Sequence, residues 1–336
     1  MEANNHRTKL TMSELGNLWS QYMNDTMAVC VLRYFLSNVQ DEKIKEILAF
    51  ALGLSELHIN KIKQFLSDDE YSIPVGFTDE DVNPSAPPLF SDTFFAFYLH
   101  IMAIHGLTRY SGSFGSTMRE DQRNYLSECI TETLDLYNRS TALLLEKGII
   151  SKPPTLNGDY KPESVKKENW LTGWFSTKRP INAIELGGVY LSLQKTMMKE
   201  VLQLGFSQVA QSKEVREFLQ RGLKLCRKHN TVLSSFLQEE DLHAPRSFAS
   251  EITKSTIPPF SDKLMLNHVS LLIAFTIGFY GESLSVCQRR DLSVSYARMA
   301  TEVGLYAEDG ANILIENGWM EQPPLAIDHQ KLAREQ

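Results

Sequence analysis

Two histidines carry the chemistry that this sequence could do. His58 and His229 each stand on an apolar stripe of helical spacing, and each is followed in its own half of the chain by a glutamate, Glu132 or Glu302. A further matched pair, Glu14 and Glu185, precedes them. An imidazole facing carboxylates across a helical bundle can hold a divalent cation or line a small polar pocket. Dimetal bundles draw a Glu from each of two helices and a Glu-x-x-His from each of the other two. That set is missing here. Three residues before His58 stands Ser55, and three before His229 stands Cys226. Glu56 lies two positions from His58, on another face, and Glu132 and Glu302 are followed at i+3 by Asp135 and Leu305. A mononuclear site remains open, and so does the plainer reading, a buried histidine satisfied by one carboxylate with the other acids solvated. The plainer reading is preferred. Cys226-x-x-His229 offers two ligands of mixed type in one half only, a weak zinc signal, and Glu14 at a helix start would equally serve the helix dipole. No cofactor is therefore expected; a divalent metal ion is the one candidate, with Glu14, His58, Glu132, Glu185, Cys226, His229 and Glu302 as its weak ligand set.

Other constellations carry less. His100 and His105 have no histidine counterpart in the second half, where Ser270 and Phe275 stand, and read as structural or surface residues. Tyr110 and Tyr280 match, and suit rings that close a bundle with a wet hydroxyl. Arg119 with Asp121, and Arg289 with Asp291, read as local ion pairs at a helix start, of little weight if exposed. Ser113-Phe114-Gly115-Ser116 follows no strand and is no nucleophile elbow. There is no phosphate loop, dinucleotide fingerprint or basic–aromatic stripe. No catalytic residue is assigned, and a non-enzymatic role is favoured. The formal net charge of −7 argues against nucleic acid or an anionic membrane as partner.

These residues are positioned by an internal repeat of about 170 residues. Ser13-Glu14-Leu15-Gly16 aligns with Ile184-Glu185-Leu186-Gly187, His58 with His229 and Phe65-Leu66 with Phe236-Leu237. After one residue of slippage, Phe90-Ser91-Asp92 aligns with Phe260-Ser261-Asp262, Tyr110 with Tyr280, Glu132 with Glu302 and Pro153-Pro154 with Pro323-Pro324. The units are expected at 10–156 and 181–328, joined by a linker over 157–180 whose Trp170, Trp174 and Phe175 suggest packing. The four cysteines fall at unmatched places, which points to free thiols.

Each unit reads as four helices, at about 13–38, 42–67, from 92 to between 110 and 115, and 118–147, then 182–209, 213–239, 261–286 and 289–317. Thr11 with Glu14 forms a capping-box pattern, Ser91 can cap the third helix and Gly148 can end the fourth. Ile44, Leu48, Ala51, Ser55, His58, Ile62 and Phe65 form one stripe. The acid- and proline-rich stretch at 68–90 is a long loop, so a crossover bundle with parallel second and third helices is expected, with an up-down-up-down bundle as the alternative. Each copy is expected to close around its own core. The apolar run from Leu264 to Tyr280 contains Asn267 and His268 and is short for a membrane span, so a buried core helix is expected there.

The PPLFSDT and PPFSDK starts of the third helix, the SELGNLW and IELGGVY openings, the histidine of the second helix, and the EKGII and ENGWM endings before Pro-Pro resemble the DUF3231 proteins of Bacillus-like spore formers. The resemblance spans about Leu10 to Ala326. It implies an all-α chain of two tandem ferritin-like four-helix bundles, similar to CotF-type spore coat proteins. By that resemblance the protein is a non-catalytic structural or interaction protein connected with sporulation, cytoplasmic or in the spore coat, with a protein partner or self-association. A metal- or small-ligand-binding bundle with a degenerate site is the alternative.

Overall fold

The computed structural model describes residues 9–156, 158, 161–166, 168–171 and 178–334. Trp174 and Phe175 lie outside them. The long helices are α1 (Met12–Asn38), α2 (Glu42–Asp68), α3 (Asp92–Gly115), α4 (Glu120–Glu146), α5 (Ala183–Val209), α6 (Lys213–Gln238), α7 (Asp262–Val286) and α8 (Arg290–Glu316), followed by the short α9 (His329–Arg334). Among the described residues there is no strand, only two isolated bridges.

Local chemistry sets the helix ends. Thr11 and Glu14 form the reciprocal capping box, and Asn182 with Glu185 repeats it. Ser91 and Ser261 accept from the Phe94 and Leu264 amides. After α4 and α8 the chain turns through Gly148 (φ 62°) and Gly318 (φ 67°), a left-handed conformation that glycine adopts without a Cβ penalty.

In the first unit α1 packs on α2, α3 on α4, α2 on α4 and α1 on α3, and the second unit repeats this square with α5 to α8. Asp92 fixes the direction of α3. Its Oδ2 accepts from the Gln40 and Asp41 amides at 2.9 and 2.7 Å, so α3 begins where α1 ends and α2 begins. Asp262 does the same with Gln211 and Ser212 at 3.0 and 2.6 Å. The second and third helices of each unit are therefore parallel. Each unit is a helical bundle with one long crossover, not up-down-up-down.

The two units meet about a pseudo-two-fold axis. In an isologous contact, residue i of one copy touches j of the other and j touches i. Here Val82 pairs with Phe260 and Phe90 with Ile252, which are one contact and its exchanged image under a shift of about 170 residues. The Asn83 amide donates to Pro259 O and the Thr253 amide to Leu89 O, at 2.8 and 2.9 Å. Ser261 Oγ donates to Asp81 Oδ1 at 2.7 Å, and Ser91 Oγ to Glu251 Oε2 at 2.6 Å. A residue that touches its own counterpart lies on the axis itself. Tyr98 Oη is 3.1 Å from His268 Nε2, and His105 stacks on Phe275 at 4.2 Å and 6°.

This arrangement corrects the expectation of two separate cores. One buried apolar cluster runs from Met27 and Phe35 through Phe94 and Tyr98 into Phe206, Leu264 and Leu314. The first bundle also holds a second, smaller cluster around Leu15, Leu18, Ile62, Leu66 and Tyr125, separate from the main one. Helix α7 is long and apolar enough to cross a membrane, but Leu264, Leu266, Val269, Leu272 and Ile273 are buried within the protein. Trp170 packs as expected: the Arg179 guanidinium sits over its ring, and its Nε1 donates to Gln288.

Gly205 on α5 marks a close approach between the units. A Cβ there would stand 2.5 Å from the buried Phe90 ring. Gly205→Ala is expected to lower unfolding free energy by about 1–3 kcal/mol through overpacking, as measured by urea denaturation. An unchanged midpoint would contradict the close packing.

Candidate functional site

Each bundle brings its histidine, glutamate and tyrosine together. His58 on α2 places Nε2 3.0 Å from Glu132 Oε2 on α4, and Tyr110 Oη on α3 lies 3.4 Å from Nδ1. In the second bundle His229 Nε2 is 3.0 Å from Glu302 Oε2, and Tyr280 Oη is 3.2 Å from Nδ1. Both rings are buried, because position 58 or 229 falls on the inward stripe of its helix. The tyrosine hydroxyls are thus engaged by the histidines, not by solvent as the sequence reading expected.

Glu14 and Glu185 are not in these clusters. Each accepts at the opposite helix start: Glu14 Oε1 takes the Met118 and Arg119 amides at 2.9 and 2.8 Å, and Glu185 Oε1 takes those of Gln288 and Arg289 at 2.9 and 2.8 Å. They are helix-end acceptors within the bundle. Burial opposes ionisation of Glu185, but Arg179 and the amides prevail and bring it down to about 2. Nor are Arg119 and Arg289 exposed. Arg119 bonds Asp121 and Asp69, and Arg289, with 0% exposure, bonds Asp291, Glu239 and Glu240.

Around the shared triad the bundles diverge. Asp25 on α1 is 94% buried at 6% exposure, and its Oδ2 lies 3.6 Å from His58 Nδ1 without a hydrogen-bond partner. Thr196 holds that position in the second bundle, donating to Ser192 O at 2.8 Å with its Oγ1 3.3 Å from Tyr280 Oη. Lys199 replaces Ala28 and donates to Thr276 Oγ1 at 2.8 Å. Lys228 donates to Glu302 Oε1 at 2.6 Å. Burial pulls the His58 pKa down, but Asp25 and Cys129 outweigh it and lift the imidazole to about 11. Burial brings His229 down to about 4, Glu302 opposing and Lys199 assisting. One histidine is a buried cation, its counterpart a neutral ring. With Nε2–H donating to Glu302, neutral His229 accepts at Nδ1 from the Tyr280 hydroxyl.

The first bundle also holds a partly open cavity of about 130 Å³, lined by Asp25, His58, Tyr110, Ala28, Ala51, Met102, Gly106 and Leu136 among others. His105 lines it too, and Leu271 and Phe275 of α7 complete the wall. His105 is buried, neither ring nitrogen has a hydrogen-bond partner, and burial holds its pKa well below the usual value. In the second bundle larger groups stand at the matching places. Lys199 replaces Ala28, Thr276 replaces Gly106 and Tyr306 replaces Leu136. The Tyr306 ring stacks on Phe218 at 4.2 Å and its hydroxyl donates to Phe218 O, in space left by Gly222 where the first unit has Ala51.

Sequence reasoning found the His–Glu pairs and missed Asp25, Cys129 and the role of His105. Cys129 stands at i−3 from Glu132, on the same face of α4. Cys226 is no partner for a cation beside His229; it donates to Gln203 Oε1 at 3.6 Å, and burial pushes its thiol up to about 11 against the nearby Lys199. His100 is a structural residue, as expected, stacked on Tyr137 at 5.1 Å.

Two outcomes follow. Glu185→Ala leaves the buried Arg289 amide, the Gln288 amide and Arg179 without their acceptor, and is expected to cost about 2–4 kcal/mol in chemical denaturation; a change below about 1 kcal/mol would contradict the role. His229 is depressed when folded, so its unfolded form binds the extra proton between about 6.5 and about 4. Stability present above that window is lost across it, with a slope up to about 1.4 kcal/mol per pH unit. His58 has the opposite sign: its contribution is full below about 6.5 and is lost as pH rises toward about 11. His229→Gln should flatten the acid limb of stability against pH, and an unchanged limb would refute the assignment.

The family model described as "Protein of unknown function (DUF3231)" matches residues 1–161 and again 170–332. No curated protein matches the chain. A crystal structure from Bacillus halodurans C-125, described as that of a "putative spore coat protein", is similar at 20% identity and a TM-score of 0.42, covering 46% of this chain and 100% of its own. With both of its halves matched by the same family model, the chain belongs to the DUF3231 family.

Proposed function

We propose that the protein is a non-catalytic binding protein whose first bundle receives a small organic cation with an apolar body. The ferritin-like character expected from the sequence fits this reading, since such bundles build their sites between facing helices. The observation that carries it is the chamber with the Asp25 carboxylate on its wall, whose Oδ2 has no hydrogen-bond partner. Asp25 has the His58 cation as its charge partner at 3.6 Å, and an ammonium donor supplies the hydrogen bond that Oδ2 lacks. A cavity of about 150 Å³ holds benzene, so a chamber of about 130 Å³ suits a ligand of similar size. Apolar side chains such as Met102, Ala103 and Leu136 would take the body, and His105 offers a neutral nitrogen as acceptor. The second bundle, with Lys199 and Tyr306 inside, acts as scaffold and supplies Leu271 and Phe275 to the wall.

Benzylamine is the test probe, with benzoate as the isosteric anion. Calorimetry should give one benzylamine per chain with Kd below about 1 mM, corresponding to roughly 0.5 kcal/mol per heavy atom, and no benzoate binding. Asp25→Asn should weaken benzylamine at least tenfold. Equal binding of amine and acid, or no effect of Asp25→Asn, would defeat the reading.

A further inference from the structure

We propose that His58, Cys129 and Glu132 form a divalent metal site of the zinc class, at the side of the His58 ring away from the chamber. One nitrogen of His58, Cys129 Sγ and a Glu132 oxygen all lie within 4.8 Å of one another, which is the one such trio among the described residues. Cys129 and Glu132 are i and i+3 on α4, so they share a face of that helix, and α2 brings the imidazole to them across the bundle. Imidazole nitrogen, thiolate and carboxylate together are donors that zinc accepts in four-coordinate geometry; the ion takes the place of the proton that His58 Nε2 carries without it, and of the Cys129 thiol proton, so binding releases protons. Three protein ligands leave a fourth position open.

Two further observations point the same way. A metal-bound histidine usually has a carboxylate on its other nitrogen, which fixes the ring and raises its basicity. Asp25 stands there, 3.6 Å from Nδ1, while Nε2 faces Glu132. The second bundle lacks the same features together. Met299 replaces Cys129 and Thr196 replaces Asp25. Lys228 holds Glu302, and Lys199 is buried nearby with its ammonium on Thr276. A thiolate site without these groups is not available there, so the chain contains its own control.

The inference is independent of the chamber ligand, because Cys129 and Glu132 do not line the chamber. The experiment is titration of chelator-treated full-length protein with Co²⁺, followed by optical absorption and displaced with Zn²⁺. One Co²⁺ per chain is expected, with a thiolate-to-metal charge-transfer band that Zn²⁺ abolishes. Cys129→Ser should remove the band, and Glu132→Gln should weaken binding tenfold or more. Asp25→Asn should weaken it about 10–100-fold, as loss of an orienting carboxylate does. If Cys129→Ser does not fold, Glu132→Gln carries the test, since its side chain is partly exposed (29%). A His229→Gln variant should bind Co²⁺ as wild type does. Absence of a charge-transfer band, or retention of wild-type affinity in Glu132→Gln, would overturn the site; benzylamine binding that persists in both variants would leave the chamber reading standing.

Discussion

The rings that meet on the pseudo-two-fold axis hold this protein in one body. Tyr98 against His268 and His105 against Phe275 join each unit to its own counterpart, and the two crossovers pair beside them through matched backbone hydrogen bonds. Burying those apolar rings in a common core removes them from water, which is the dominant favourable term in such an association. It also fixes where Leu271 and Phe275 stand, and so closes the wall of the first bundle's chamber.

A duplicated unit faces the same packing problem twice but need not solve it in the same way. The frame is common to both: helix-end acceptors at Glu14 and Glu185, buried arginines at 119 and 289, a His–Glu–Tyr cluster in each bundle. Within that frame one interior has small residues and an extra carboxylate. The other has Lys199, Thr276 and Tyr306 in those places and Thr196 where the carboxylate stood. The electrostatic consequence is local, since in a low-dielectric interior a single nearby charge decides the state of a buried imidazole. Asp25 makes His58 a cation; burial, assisted by Lys199, leaves His229 neutral.

Much of the fold was legible because its determinants are local. Caps at Thr11, Ser91 and Gly148 and the stripe through His58 set helix ends and inward faces, and the acidic, proline-rich stretch after α2 marked the crossover. The pairing of His58 with Glu132 followed from the repeat. What the sequence hid is long-range. Asp25 is an ordinary acid on a mostly apolar helix until the bundle closes, and Cys129 is one of four unmatched cysteines until α2 faces it. The shared core was also hidden, because periodicity identifies a buried face without identifying what buries it. The capping box of Thr11 and Glu14 was legible, but the reach of Glu14 and Glu185 to the amides at the start of α4 and α8 was not.

The first bundle holds a cavity where Lys199, Thr276 and Tyr306 fill the matching place in the second. Crystals of the protein pressurised with xenon test it most directly, because xenon enters dry apolar cavities and is visible by anomalous scattering. The account predicts a strong xenon peak between α1, α2, α3 and α4 beside Met102 and Leu136, and none at the matching place beside Tyr306. Peaks of equal height in both bundles, or a peak only in the second, would contradict it.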